Sequence, residues 1–178
     1  MKVGKVVKIC KDSGSFEVVK DNGEIWLGNG QSFYKLDEVF ELTENMICTL
    51  FDISDKKRNE TFIKEIITDE IPEMCVLFKD QVPGDVMPER GEVEIKYKGE
   101  NFIPYKAAGE TLLLNAKYFE PFKNSDDIEV WLRRAEVRSG DRVFILKLGM
   151  FNVGVVALRR DNEEILNAVK EIGGGMND

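Results

Sequence analysis

The eleven residues Gly23–Phe33, GEIWLGNGQSF, recur 86 positions later as Gly109–Phe119, GETLLLNAKYF. Five of the eleven positions are identical, with Gly, Glu, Leu, Asn and Phe at equivalent places. Two interpretations are open: a supersecondary unit that was duplicated and packs against its copy, or a coincidence between two short stretches of one chain. Under the first interpretation the repeat decides the fold, because each copy begins a unit of the same kind.

After the second copy, the sequence predicts the order strand, helix, strand, strand, strand. Thr111–Leu114 is a continuous apolar run that is typical of a buried strand, and Ala116–Phe122 predicts a helix of one or two turns. Residues 128–132 alternate between apolar and polar side chains, and Val143–Leu148 and Val153–Leu158 predict two further strands.

The N-terminal residues predict a strand meander. Apolar residues alternate with lysines over Val3–Ile9, and two further strands are predicted at Phe16–Val19 and Ile25–Leu27. Asn22-Gly23 lies between the latter two and indicates a tight hairpin, because both central residues of such a turn need positive φ.

The middle of the chain is less clearly patterned. We predict strands at Met46–Ile53, Thr61–Ile67 and Met74–Phe78, with the charged stretch 54–60 as a loop between the first two. Thr43 could instead begin a helix, because threonine is a favoured N-cap residue.

Residues 24–79 allow the same element order as the second half if Ser32–Phe40 is helical, although a loop fits that stretch as well. A terminal helix is predicted over 163–172, where two glutamates precede an apolar stripe. The predicted fold class is therefore α+β and mostly antiparallel, with two similar strand-helix-strand-strand-strand halves plus a C-terminal helix.

The predicted domain division follows the proline and glycine residues. Residues 81–91 are expected to be a linker, because Asp80–Gly91 contains two prolines and two glycines. An N-terminal β-rich half would then occupy 1–80, and a C-terminal β-rich half with the terminal helix would occupy 92–172. The three glycines after that helix predict a disordered tail at 173–178.

The composition opposes several classes of function. A net charge of −8 opposes casual binding to nucleic acid or to an anionic membrane, and no apolar run approaches the roughly 20 residues of a membrane span. The chain has no histidine, which excludes a Cys/His zinc site, and Cys10, Cys48 and Cys75 have the apolar neighbours of buried thiols. We therefore expect a cytoplasmic protein that has no metal, no cofactor, no membrane partner and no catalytic constellation.

Two basic stretches are candidate interaction surfaces. Residues 133–160 hold seven basic residues against two acidic ones, and a strand over 127–134 would place Trp131 beside Arg133 on its outer face. Trp131 could stack on a base or anchor a protein partner there, or the C-terminal helix could cover it. The candidate residues are Trp131, Arg133, Arg134, Arg138 and Arg142, together with Lys56, Lys57 and Arg58 of the charged loop.

The stretch Gly28–Ser32 is a further candidate, since it follows a predicted strand where backbone N–H groups can cradle phosphate. It lacks the spacing of a dinucleotide fingerprint and the Gly-Lys-Ser/Thr of a P-loop. A tight turn explains the same residues.

The sequence Leu113-Leu114-Asn115-Ala116-Lys117-Tyr118-Phe119, followed by the alternating strand at Asp127–Leu132, resembles the corresponding helix and strand of a bacterial sliding-clamp domain. Such clamps use a strand-helix-strand-strand-strand unit twice per domain, and their helices face the phosphates of encircled DNA. The resemblance implies a basic helix surface. Residues 31–41 offer only Lys35 against three acidic residues, which departs from that expectation.

Two functions follow as hypotheses. The first is a non-enzymatic interaction or scaffold protein that associates with itself or with a protein partner. The alternative is a clamp-like accessory protein in DNA replication or in DNA transactions of mobile elements. An enzyme that uses carboxylate, lysine or tyrosine groups is a third possibility, since those groups can act as bases without histidine.

Overall fold

The computed structural model describes residues 1–37, 42–68, 72–123, 125, 127–135, 141–158 and 163–168. The helices are α1 Val3–Ser13, α2 Glu44–Leu50, α3 Asp55–Arg58, α4 Pro72–Phe78, the 3-10 helix η1 Ala116–Phe122, and α5 at 163–168. The strands are β1 Ser15–Asp21, β2 Glu24–Gly28, β3 Ser32–Lys35, β4 Phe62–Ile67, β5 Glu89–Arg90, β6 Ile95–Tyr97, β7 Glu100–Ala107, β8 Glu110–Asn115, β9 Ile128–Ala135, β10 Asp141–Leu148 and β11 Phe151–Ala157.

The strands form two sheets. A seven-stranded sheet has the order β4-β1-β2-β3-β11-β10-β9, in which β1 and β4 are parallel and the other neighbours are antiparallel. In a smaller antiparallel sheet, β7 pairs with β5, β6 and β8. The predicted α+β class with mostly antiparallel strands and a C-terminal helix is confirmed.

A helix followed by three antiparallel strands occurs twice. The units are α1-β1-β2-β3 and η1-β9-β10-β11, and they join where β3 pairs with β11, so that their strands follow in opposite order across the sheet. With β8 before η1, the second unit has the predicted order strand, helix, strand, strand, strand. The corresponding unit predicted over 24–79 is wrong, because the equivalent helix is α1.

Helix α1 corrects the prediction of a strand at Val3–Ile9. Val6, Ile9 and Cys10 are buried, a spacing of three and four residues that places them on one helical face. The intervening lysines also fit an alternating pattern, which is why the strand was predicted. Gly14 ends the helix with φ of 65°, the left-handed conformation that glycine adopts without steric cost.

Three predictions in the middle of the chain are also wrong. Met46–Ile53 is mainly the helix α2 rather than a strand, and the alternative start is confirmed because Thr43 Oγ1 accepts a hydrogen bond from the Met46 N–H. Met74–Phe78 belongs to α4, and the predicted charged loop contains α3. A short apolar run fits a buried strand as well as a buried helix, and here tertiary packing favours the helix.

The stretch Ser32–Phe40 begins as a strand, β3, rather than as a helix or loop. Residues 38–40 lie outside the described residues. The other strand predictions are confirmed, since β1, β2, β4 and β8 to β11 each overlap a predicted strand.

The eleven-residue repeat has a local structural counterpart. Each copy opens with a tight turn whose central residues have positive φ: 46° and 82° at Asn22 and Gly23, and 50° and 81° at Ala108 and Gly109. A strand follows, β2 or β8. The copies then diverge, because the first continues into β3 and the second into η1.

The equivalent asparagines at the ends of these strands, Asn29 and Asn115, have the same role. The Asn29 side chain accepts a hydrogen bond from the Gln31 N–H at 3.1 Å, and the Asn115 side chain accepts one from the Lys117 N–H at 3.0 Å. Both are side-chain turns that span two residues. The identical Asn of the repeat therefore fixes the direction in which the chain leaves each strand.

The core lies on both faces of the seven-stranded sheet. Helices α1, α2 and η1 and the small sheet pack on one face, around Phe16, Leu27 and Phe144. Helix α4 covers the other face, where Phe78 packs against Trp26. Helix α5 packs against the small sheet, and its Ile165 is buried with Phe102 and Leu113 of that sheet.

The segment 80–91 packs along the large sheet. The N–H and carbonyl of Val86 both hydrogen-bond with Leu132 of the edge strand β9, at 3.0 and 2.8 Å. Further along, β5 pairs with β7. Strands from 1–80 and from 92–172 also share the large sheet through the β3–β11 pair, so hydrogen bonds connect the two predicted halves directly.

Candidate functional site

Arg133, a predicted surface residue, is buried, with an exposed fraction of 1%. Its Nε and Nη2 donate to Oδ1 and Oδ2 of Asp85 at 2.8 and 2.7 Å. Its Nη1 donates to the carbonyls of Val76 and Lys79 at 2.7 and 2.8 Å. Because this guanidinium holds the chain after α4 against β9, Arg133 has a structural role and offers nothing to a partner.

Trp131 does share the face of Arg133, as predicted, but that face is covered. The covering element is α4 with the segment after it, rather than the C-terminal helix. Lys147 Nζ lies 4.4 Å from the centre of the half-buried Trp131 ring and 3.4 Å from Asp85 Oδ2. The indole N–H donates to Glu129.

Asp85, Arg133 and Lys147 form a buried charged cluster. Burial alone would raise the pKa of Asp85, but the hydrogen bonds and charges of Arg133 and Lys147 outweigh burial and lower that pKa below its usual value. The carboxylate is therefore charged at neutral pH and compensates two buried cations.

The other predicted residues do not form one surface with these. Arg134 is exposed, Arg142 pairs with Glu110, and Arg138 lies outside the described residues. Lys56 and Lys57 are exposed on α3, while Arg58 pairs with Glu44. Helix α3 directly precedes β4, the strand at the opposite edge of the sheet from β9.

A more concentrated basic surface lies on α1 and η1, which we call the helix pair. The two helices are in contact: the Lys2 N–H donates to the Pro121 carbonyl at 2.8 Å, and Lys5 Nζ lies 3.1 Å from Glu120 Oε2. In residues 1–13 and 116–123 there are six lysines against two acidic residues, a balance of +4 in a chain of net −8. The lysines are Lys2, Lys5, Lys8, Lys11, Lys117 and Lys123.

The helix pair was not predicted, because the alternating pattern of residues 3–9 indicated a strand. The signal was present, since Lys2, Lys5, Lys8 and Lys11 recur every third residue, which on a helix keeps neighbouring side chains close together. The apolar side of α1 faces the core, so most of these lysines face solvent: Lys2, Lys8 and Lys11 are exposed and Lys5 is half-buried.

A cleft of about 720 Å³ opens beside the helix pair. From α1 it is lined by Lys5, Lys8 and Asp12, and from η1 by Lys117 and Glu120. Its size is within the range of small-ligand sites, about 300–1,000 Å³.

Both copies of the repeat contribute to this cleft through the turns that follow their strands. In the second copy, Asn115 and Lys117 are bound to Glu100 of β7. Glu100 Oε1 accepts hydrogen bonds from Asn115 Nδ2 at 2.9 Å and from Lys117 Nζ at 3.2 Å. The first copy contributes Asn29 and Gln31. The repeat therefore places two similar turns at one site.

A hydrogen bond links the two copies of the repeat. The Tyr118 hydroxyl donates to Gln31 Oε1 at 2.9 Å, and the Tyr34 hydroxyl donates to the Tyr118 carbonyl at 3.0 Å. The Tyr34 contact connects β3 to η1, and the Tyr118 contact engages the side-chain oxygen of Gln31, an exposed residue.

The predicted phosphate cradle at Gly28–Ser32 is a tight turn in which the N–H groups of Asn29, Gln31 and Ser32 are already used. The backbone N–H groups of Gln31 and Ser32 both donate to Asn29 Oδ1, and the N–H of Asn29 donates to the Ser32 carbonyl. The turn leads into β3 rather than into a helix, so it has no helix dipole to attract an anion.

Within the part of the chain that the structure describes, no group of three or more Cys, Asp or Glu residues could hold a metal ion. Cys10 is buried, and its Sγ donates to the Gly28 carbonyl at 3.3 Å. Burial, with a smaller contribution from the charge of Glu17, raises the pKa of Cys10 to about 12, so this thiol is a poor nucleophile.

Comparisons with known proteins found no matching family model, no matching curated protein and no matching solved structure. Among the described helices, none is long and apolar enough to span a bilayer.

Proposed function

We propose that the protein is a non-enzymatic interaction protein and that its interaction surface is the helix pair. The observation that carries this proposal is the concentration of six lysines on two packed helices of a strongly acidic chain. Such a surface attracts a polyanion, while the rest of the protein repels one, so binding is confined to one orientation.

The partner of best chemical fit is nucleic acid, which is also the partner of a clamp-like accessory protein. Lys8 and Lys11 are exposed, without an ion pair to any described residue. Lys5, Lys117 and Lys123 pair with Glu120 or Glu100 at 3.1 to 3.5 Å. Surface ion pairs of this kind are worth about 0–1 kcal/mol, so a phosphate can replace the glutamate.

The proposal predicts a definite salt dependence. If the net charge of +4 on the helix pair neutralises about four phosphates, log K should fall against log salt with a slope of roughly −3 to −4. The specific observation that favours the clamp-like role is that the lysines lie on the helices that begin the two similar units, α1 and η1.

Self-association is a second candidate, favoured by an exposed apolar hairpin. At the turn between β10 and β11, Met150 and Phe151 are 68% and 61% exposed, beside the partly exposed Leu148. Contact between two copies of the chain would remove this apolar surface from water.

The first experiment measures mass by light scattering, with and without duplex DNA, at low and at moderate salt. We expect a complex at low salt that dissociates as the salt concentration rises. A discrete multimer that retains DNA would support the clamp-like role, whereas a protein whose mass is indifferent to DNA would contradict the nucleic-acid proposal.

A matched pair of double variants locates the surface. Lys8→Glu with Lys11→Glu reverses two charges on the helix pair, and Lys56→Glu with Lys57→Glu makes the same change in net charge on α3. We expect the first variant to lose at least about tenfold in DNA affinity, with a much smaller loss for the second. Equal losses would show that only the net charge matters.

A further inference from the structure

We propose that the cleft beside the helix pair is a phosphate-binding site in which the side chains of Lys8, Asn29 and Gln31 bind the phosphate. This inference rests on the proposed function for the source of the phosphate, a nucleic-acid strand. It adds a specific contact to what would otherwise be general electrostatic attraction.

The two amides carry the inference because their oxygen atoms already accept hydrogen bonds. Asn29 Oδ1 accepts three hydrogen bonds, from the N–H of Gln31, the N–H of Ser32 and the Ser32 hydroxyl, at 3.0 to 3.2 Å. Gln31 Oε1 accepts one from the Tyr118 hydroxyl. Since both oxygen atoms are engaged, the capacity that remains on each side chain is that of an NH₂ donor.

Among the residues that the structure describes, neither Asn29 Nδ2 nor Gln31 Nε2 has a hydrogen-bond partner, and both side chains line the cleft. A ligand with several acceptor oxygens and no donor matches them, which describes a phosphate group rather than a sugar or a peptide amide.

Lys8 supplies the charge. Lys5 and Lys117 also line the cleft, but each is paired with a glutamate, whereas Lys8 forms no ion pair with any described residue. A charge-assisted hydrogen bond from an ammonium to a phosphate oxygen is roughly twice as strong as a neutral one.

Three carboxylates that line the cleft oppose an anion there: Glu100 and Glu120, which pair with Lys117 and Lys5, and Asp12. Asp12 is the carboxylate that a variant can remove without disturbing those two pairs. It lies one helical turn after Lys8 on α1, lines the cleft and forms no ion pair within the described part of the chain. Its carboxylate therefore lowers phosphate affinity without contributing a hydrogen bond to the phosphate, which makes Asp12→Asn a variant that should bind more tightly.

Isosteric variants test the amide donors without removing the turn. Asn29→Asp and Gln31→Glu keep an oxygen that can accept the existing hydrogen bonds but replace each NH₂ by a second oxygen. Asn101→Asp is the matched control. It places the same new charge in the cleft, on a side chain that is not proposed to bind the phosphate. Thermal unfolding of each variant verifies that the fold is retained.

Binding is measured by titration calorimetry with inorganic phosphate, with a mononucleotide and with a single-stranded oligonucleotide. We expect Asn29→Asp and Gln31→Glu to weaken binding by about tenfold or more, Asn101→Asp by at most about threefold, and Asp12→Asn to tighten it by about twofold to fivefold. If Asn29→Asp and Asn101→Asp have the same effect, or if no phosphate compound binds, the site is refuted.

The probes and a second control separate this site from the proposed function. Lys8→Gln and Lys11→Gln remove the same charge from the same helix, but only Lys8 lines the cleft. Equal losses of DNA affinity would agree with the helix pair as a DNA-binding surface but would refute the cleft as a specific phosphate-binding site. Binding of free phosphate that is sensitive to Asn29→Asp, without binding of DNA, would support the cleft and refute nucleic acid as its source.

Discussion

The lysine-bearing helix pair and the buried cluster of Asp85, Arg133 and Lys147 both concentrate positive charge, but they differ in their access to water. In the cluster, each cation is compensated by a carboxylate or by carbonyl groups inside the protein. On the helix pair, Lys8 and Lys11 are exposed. A count of basic residues along the chain therefore does not locate an interaction surface, because the richest basic stretch, residues 133–160, supplies both buried cations of the cluster, Arg133 and Lys147.

The largest effect that tests this comparison is the loss of Asp85. Asp85→Ala leaves two buried cations uncompensated, and we expect it to lower the free energy of unfolding by about 3–5 kcal/mol. Denaturant unfolding measures this, with Arg134→Ala, an exposed neighbour of Arg133, as a control that should change it by less than about 0.5 kcal/mol. A small loss for Asp85→Ala would contradict the structural role of the cluster.

The pH dependence of stability sharpens the same contrast. Because the pKa of Asp85 is lower in the folded than in the unfolded protein, its contribution is present above the unfolded value of about 3.9 and is lost as the pH falls through the folded value. We expect Asp85→Asn to differ most from the wild type near pH 7 and to converge with it at strongly acidic pH. Unfolding measurements across that range would show parallel stability profiles if folding did not lower the pKa of Asp85.

A pair of double-mutant cycles compares one contact from each region directly. The coupling energy between Arg133 and Asp85 should be several-fold larger than that between Lys5 and Glu120, for which about 0.2–1 kcal/mol is expected because that pair is partly exposed. Similar values in the two cycles would mean that burial does not separate these regions energetically.

The smallest expected effect is that of Lys8 on stability. Lys8→Ala should change the free energy of unfolding by less than about 0.5 kcal/mol, because the side chain is exposed and forms no ion pair with a described residue. Combined with a loss of DNA affinity, this outcome would distinguish a binding lysine from a structural one. A destabilisation comparable to that of Asp85→Ala would remove the distinction.

Local rules predicted the parts of the fold that depend on a few adjacent residues. Asn22-Gly23 indicated its hairpin because the required φ values restrict the residues that fit. The order from β8 to β11 was also predicted, since each strand has a clear pattern and a clear boundary. Helices α1 and α4 were missed because their short apolar patterns fit either period, and tertiary packing made the choice.

The site was harder to predict than the fold. The shared face of Trp131 and Arg133 followed from the two-residue period of a strand, but its covering by residues 76–85 depends on contacts about 50 positions apart in sequence. The cleft likewise depends on Gln31 meeting Tyr118, a pair separated by 87 positions. The repeat did mark both turns that line it, although it carried no information on how they would be brought together.

The pairing of β3 with β11 has a consequence for synthesis of the chain. Tyr34 lies opposite Gly154, so 120 residues separate two neighbours in the large sheet. Until β11 has left the ribosome, the N-terminal unit presents the outer edge of β3 with its backbone groups unpaired, beside the apolar side chains of Phe33 and Tyr34. We therefore expect truncation before β11 to yield an aggregating chain, and slow elongation over residues 36–150 to prolong its need for a chaperone.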